Sequence, residues 1–183
     1  MPTSFTTSET FSWVCGTFYG WNIFEIHIFG YLDSRNDFAE TEEGIERSAA
    51  LLLLSPWQLT ESLLPLLKNH AQPARVINVV SGGMYTQKLR CDELVMTSDK
   101  YNGSVAYARA KRALTVLTEL WAEVWVDHNI VVNSMHPGWA DTPGVQTALP
   151  GFRRVTKRVL RSPAEGADTI VWLARASEAD RVS

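Results

Sequence analysis

Hydrophobic positions follow two regimes along this chain. From about residue 41 they recur at helical or strand spacing; before it they do not. Thr41 stands ahead of Glu42 and Glu43, a hydroxyl cap followed by acids that suit the positive end of a helix. The apolar positions behind it predict a helix over 42–68. Pro56 removes a backbone donor and crowds the preceding turn, so it should interrupt that helix, with Pro65 a second irregularity. Arg75 to Ser81 (RVINVVS) reads as a short buried strand stopped by Gly82-Gly83. After a polar connection, Ala106, Ala110, Ala113, Leu114, Leu117, Trp121 and Val124 recur three and four apart and predict a helix over 104–126. Asn129 to Met135 is a second buried strand, ended by His136-Pro137-Gly138, and Pro163 opens a last helix over 163–174. Strands alternating with helices imply an α/β fold: a parallel sheet with right-handed crossovers and helices on both faces.

Residues 1–40 form an atypical aromatic-rich segment beside the regular part, 41–183. Ten of the 19 aromatics lie in the first 38 positions. A strand is possible at 23–29, where β-branched and aromatic residues dominate; residues 1–22 carry no pattern that assigns them an element.

Composition narrows the function classes. The chain has 183 residues, 45% hydrophobic and 20% charged, as in a soluble globular domain with a sizeable core. A net charge of −3 offers nothing that would attract nucleic acid. Cys15 and Cys91 are the two cysteines, too few for a disulfide framework, so a cytoplasmic, reducing setting is expected, with both thiols buried or incidental. No Lys or Arg precedes Arg35, which gives a secretory or transit signal no support. The apolar stretch between Arg47 and Glu61 contains Pro56 and reads as a buried helix rather than a membrane span. His27, His70, His128 and His136 form no metal-ligand spacing.

Tyr107 and Lys111 are four apart on the second predicted helix and share its face. An ammonium near a phenol favours phenolate and lowers its pKa, which suits proton exchange with an alcohol oxygen. The pair alone is common by chance. Ser81 adds weight: it ends a strand, where open α/β sheets bind ligands, and Gly82-Gly83 would let a ligand approach the backbone. Tyr107 follows it by 26 positions, and a further strand end carries Pro137-Gly138 with Thr142 close behind.

In RVINVVSGGMY, YARAKRALTVLTELWAE and SMHPGWADTPG the chain resembles the short-chain dehydrogenases/reductases, and its long Ser81–Tyr107 interval resembles their retinol-dehydrogenase-like branch. The resemblance covers about residues 40–175. It implies a Rossmann-like sheet and hydride transfer between NAD(P)(H) and a carbonyl or alcohol substrate. Tyr107 would be the general acid/base and Ser81 would orient the substrate oxygen. Lys111 would tune Tyr107 and hold the nicotinamide ribose, while Pro137, Gly138 and Thr142 would line the nicotinamide end. It also implies a homodimer through helices 42–68 and 104–126.

Three departures bear on activity. The family's first strands and glycine-rich phosphate turn are not recognisable; Gly16 and Gly20 imitate the turn faintly, and His27-Ile28-Phe29-Gly30 echoes a later strand end. The chain thus reads as a short-chain dehydrogenase missing its first strands and glycine-rich turn, with an exposed sheet edge. Leu52 aligns with the asparagine of the family's proton relay and cannot hydrogen-bond. A non-catalytic remnant or binding module of the fold is therefore the alternative. A serine hydrolase built from Ser81, His136 and Asp141 is disfavoured, because Val79 stands where a nucleophile elbow needs glycine. The basic run Arg153, Arg154, Lys157, Arg158 and Arg161 reads as a solvated helix face, with a place near an anionic ligand as the lesser reading.

Overall fold

The computed structural model describes residues 25–28, 37–141, 145–146 and 150–181. Three strands, β1 (Glu25–Ile28), β2 (Ala74–Val79) and β3 (Ile130–Met135), form a parallel sheet in the order β1-β2-β3. The strand expected at 23–29 is thus present as β1, paired in register with β2 from Glu25↔Arg75 to Ile28↔Asn78. The helices are α1 (Arg47–Lys68), α2 (Gly103–Val124), α3 (Pro150–Thr156) and α4 (Pro163–Arg175).

Alternation along the strands decides what each face meets. Ala74, Val76, Ile130 and Val132 point to one side and pack with Leu67 of α1 and Trp121 of α2. Trp125 joins them, stacked on Trp121 at a centroid distance of 5.1 Å. Ile77, Val79 and Met135 point to the other side, against Ile170, Leu173 and Ala174 of α4. The expected α/β layering, helices on both faces of a parallel sheet, is what forms.

Helix α1 departs from its sequence reading at both marked places. It starts at Arg47, not after Thr41, because Thr41–Ile45 closes on itself. Gly44 N–H donates to the Thr41 carbonyl at 3.0 Å, Thr41 N–H donates to the Ile45 carbonyl at 2.9 Å, and Gly44 has φ +76°. The cap is instead Glu46, whose buried carboxylate accepts from Ser48 N–H (2.6 Å) and Ala49 N–H (2.9 Å). Pro56 does not interrupt α1. Residues Ala50–Leu54 form a π turn, in which Ser55 N–H reaches back to the Ala50 carbonyl. The wider turn gives the proline ring room and lets the helix run on to Lys68. By length and composition alone α1 could cross a membrane; here Leu67 packs in the core and Glu61 accepts a hydrogen bond from Trp121 Nε1 at 2.8 Å.

Smaller shifts follow from local chemistry. Strand β2 ends at Val79 rather than Ser81. Asn102 caps α2 by accepting from Val105 N–H at 3.0 Å. Asn129 turns the chain into β3 in the left-handed region, φ 56°. Buried Arg75, on the α4 side of β2, donates to the Leu173 and Ala176 carbonyls and to Asp180 at 2.5 Å.

Candidate active site

The site forms where β2 and β3 end. Val80 N–H donates to the Met135 carbonyl at 2.9 Å, the last backbone bond between the two strands. Ser81 then caps a short 3-10 turn, Gly82–Thr86, its hydroxyl oxygen accepting from Gly83 N–H at 3.3 Å. Helix α2 crosses this turn and brings Tyr107 to it. A Cβ on Gly83 would lie 3.6 Å from Ser81 Oγ and 3.9 Å from Tyr107 Cε1, so glycine leaves open the space both reactive groups border. The Ser81 hydroxyl faces the Tyr107 phenol and favours its charged form.

Lys111, one helical turn on, is 2% exposed and donates to the Val79 carbonyl at 2.7 Å. Ser81, Tyr107 and Lys111 are therefore brought together at one strand end. Their electrostatics differ from the sequence expectation. Burial pushes the Tyr107 phenol up from 10.0, partly opposed by the Ser81 hydrogen bond, whereas a lowered value was expected. Burial also brings Lys111 down from 10.5 to about 8. Desolvation disfavours each charged form, and Lys111 is tied to a carbonyl rather than a carboxylate.

Pro137 and Gly138 form the facing turn. Gly138 has φ +76°, and a Cβ there would meet Arg161 Cδ at 3.1 Å; Arg161 also donates to the Pro137 carbonyl at 3.3 Å. Thr142 lies outside the described residues, as do Gly16 and Gly20 of the faint glycine turn. Leu52 lies in the π turn, 3% exposed, so a packed leucine occupies the position aligned with the relay asparagine.

The hydrolase arrangement is not assembled. Asp141 is held by Arg153 through two bonds, 2.6 and 2.9 Å, which keep its carboxyl below the usual range. His136 faces the backbone: its Nδ1 accepts from Gly82 N–H at 3.3 Å. Nor is the basic run uniformly a solvated face, since Arg153 clamps Asp141 and Arg161 covers Gly138, while Arg154, Lys157 and Arg158 are exposed. Sequence reasoning weighed His136 only as a nucleophile partner or metal ligand; its place beside Pro137-Gly138 was the signal for a role at the strand end.

The nicotinamide end of a dinucleotide fits what is present. An ammonium has three donors, and the Val79 carbonyl takes one of those on Lys111. Tyr107, Lys111, Pro137 and Gly138 stand at the carboxyl ends of parallel strands, where such ligands bind.

Comparisons with known proteins identify the family. A family model described as Enoyl-(Acyl carrier protein) reductase matches residues 23–178. Human Dehydrogenase/reductase SDR family member 12 is 46% identical over 140 residues, covering 76% of this chain and 43% of the relative. Human Retinol dehydrogenase 14 is 33% identical over 153 residues, covering 80% and 45%. The chain thus spans less than half the length of these relatives. The crystal structure of a short chain dehydrogenase from Salmonella enterica subsp. enterica serovar Typhi str. CT18 superposes with a TM-score of 0.63 at 18% identity, covering 89% of this chain and 61% of that one, which speaks for the fold. The chain belongs to the short-chain dehydrogenase/reductase family.

Proposed function

We propose that this chain performs the proton transfer of an NAD(P)(H)-dependent oxidoreductase acting on a small carbonyl or alcohol substrate. The observation that carries this reading is the meeting of Ser81 and Tyr107 around the open space at Gly83. When bound, the cofactor supplies or accepts hydride. The protein's residues do the rest. Tyr107 O–H donates its proton to the substrate oxygen as charge develops there, and Ser81 Oγ–H steadies the same oxygen with a second hydrogen bond. Lys111, fixed at the Val79 carbonyl, would hold the ribose with its remaining donors. Pro137 and Gly138 would border the nicotinamide.

The raised Tyr107 pKa has a direction. The phenol stays protonated at neutral pH, so carbonyl reduction finds its acid ready, whereas alcohol oxidation requires phenolate. Reduction is expected to hold steady through neutral pH, and oxidation to rise with pH toward 10 and beyond; initial rates in both directions across pH 6–10 check this.

Purified protein titrated with NADPH and NADH, then assayed on a carbonyl panel, tests the proposal. Turnover is expected, and Tyr107→Phe should lower kcat by roughly 100-fold or more while leaving cofactor affinity within a few-fold. Absence of both binding and turnover would overturn it. The buried Leu52 favours a second reading, a non-catalytic binding module of the same fold, for which cofactor or substrate analogue binds without turnover.

Pairing of two copies belongs to the same proposal. Trp57 and Leu66 of α1 and Leu120 and Val124 of α2 are exposed, which supports contact through these helices. Sedimentation should show a dimer that Leu120→Arg converts to monomer; an unchanged sedimentation coefficient in the variant would count against it. Cys91 is exposed and free, which supports placing the protein in the reducing cytoplasm.

A further inference from the structure

We propose that His136 is a positioning residue: its imidazole holds the Ser81–Gly83 turn so that the Ser81 hydroxyl meets Tyr107. This rests on the oxidoreductase reading above. The sheet keeps β2 and β3 in register through Val79↔Met135, and Val80 N–H makes the last backbone bond between them. Beyond that point the turn has left the ladder. Its next link to the β3 side is Gly82 N–H, which donates to His136 Nδ1 at 3.3 Å. The same ring stands where a side chain at position 82 would go, since a Cβ there would lie 3.1 Å from Nε2. One imidazole therefore serves as acceptor and as wall.

Ser81 sits between these two tethers. Val80 is fixed to Met135 and Gly82 to His136, so the Ser81 Cα has little freedom of its own. Its Oγ accepts from Gly83 N–H and meets the Tyr107 hydroxyl. A shift of Gly82 moves that oxygen relative to Tyr107, and proton transfer is steeply sensitive to such displacement.

Acceptance at Nδ1 assigns the neutral ring with its proton on Nε2. Partial desolvation of this surface-exposed ring favours the neutral form by holding the His136 pKa below 6.5, opposed by the Val80 carbonyl, which favours the charged ring. An imidazolium has no acceptor for Gly82 and would turn to Val80 instead. Close by, Arg161 donates to the adjoining Pro137 carbonyl, Tyr107 borders Gly83, and Glu165 at the start of α4 is committed to Ser162 N–H at 2.6 Å and Ser162 Oγ at 2.8 Å.

Nuclear magnetic resonance of the ¹⁵N-labelled 183-residue chain tests the tether without needing turnover. The Gly82 amide should titrate with the His136 ring, with a shared midpoint below pH 6.5. His136→Asn, which keeps an acceptor near the Nδ1 position, should hold the high-pH Gly82 position at every pH. His136→Leu should lose it, and Gly82→Ala should displace the ring while leaving His136 in the sequence. In turnover, His136→Leu should lower kcat roughly five-fold, about one hydrogen bond, with KM little changed. His136→Asn should restore kcat and remove the acid limb of its pH profile. A Gly82 amide indifferent to pH between 5 and 8, or one titrating equally in His136→Leu, overturns the tether; full activity in His136→Leu overturns its catalytic use. Loss of NADPH binding across all proteins would sink the oxidoreductase reading and leave the Gly82 titration to judge the tether alone.

Discussion

Lys111 shows what a buried charge costs the fold. Its ammonium lies almost wholly out of water with a carbonyl oxygen as partner, and its pKa falls from 10.5 to about 8. Below pH 8 the group is charged in both states, and folding bears the full desolvation cost, about 3 kcal/mol. Between pH 8 and 10.5 the unfolded chain binds more protons, so this cost fades as pH rises. Lys111→Met is therefore expected to raise Tm at pH 7 by several degrees, with the advantage shrinking toward pH 10.5, while turnover is lost. Melting curves at pH 7 and 10 read both; a variant less stable than the parent at pH 7 contradicts the account. That Ser81, Tyr107 and Lys111 would meet was legible in the sequence, because a strand end followed by a helix carrying Tyr107 and Lys111 on one face brings all three to the same place. Their electrostatics were not, since spacing places Lys111 near Tyr107 but cannot reveal that burial dominates both groups. The part played by His136 was hidden for another reason: its partner is a backbone N–H, which leaves no mark in a sequence.

Among elements, Pro163 marked the start of α4 in the sequence, whereas the cap that fixes it was read only in the structure. Ser162 and Glu165 form a reciprocal capping box at α4: Glu165 N–H donates to Ser162 Oγ at 3.2 Å, and Ser162 N–H to the Glu165 carboxylate. Ser162→Ala should destabilise the protein by about 1 kcal/mol, measured by urea denaturation, and a loss below about 0.3 kcal/mol would show that α4 does not depend on it. At α1 the same rule misleads. Thr41 has the right residue type and acidic neighbours, yet the Gly44 turn puts the true cap, Glu46, five positions further on. The π turn at Ala50–Leu54 was equally illegible, because Pro56 announces a disturbance without saying whether the helix breaks or widens. Widening keeps Leu52 inward and sets it where the family places a polar relay residue. Leu52→Asn is a direct probe of that position: a burial-driven loss of about 2 kcal/mol is expected, accompanied by increased turnover if solvent coupling limits the reaction.

At the scale of the whole molecule, the α/β layering was readable from alternation of strand and helix patterns, and β1 from its β-branched and aromatic residues. The tie that closes the layers was not. Arg75 is a charged residue in a run that reads as a buried strand, and its partners, the end of α4 and Asp180, lie about a hundred positions away. Its side chain is 6% exposed and that of Asp180 is 36% exposed, so Asp180→Ala should destabilise the protein by about 2 kcal/mol by leaving the guanidinium less compensated. Chemical denaturation checks this, and an effect within 0.5 kcal/mol, as for an exposed pair, would show that the two carbonyls suffice. The same tie sets an order of events during synthesis. At roughly 5–20 residues per second, about 5–20 s pass between the making of Arg75 and of Asp180. Through that interval the central strand carries a cation whose partners have not yet been made, so the nascent sheet depends on water or a chaperone to shelter Arg75 until the last turn of the chain arrives.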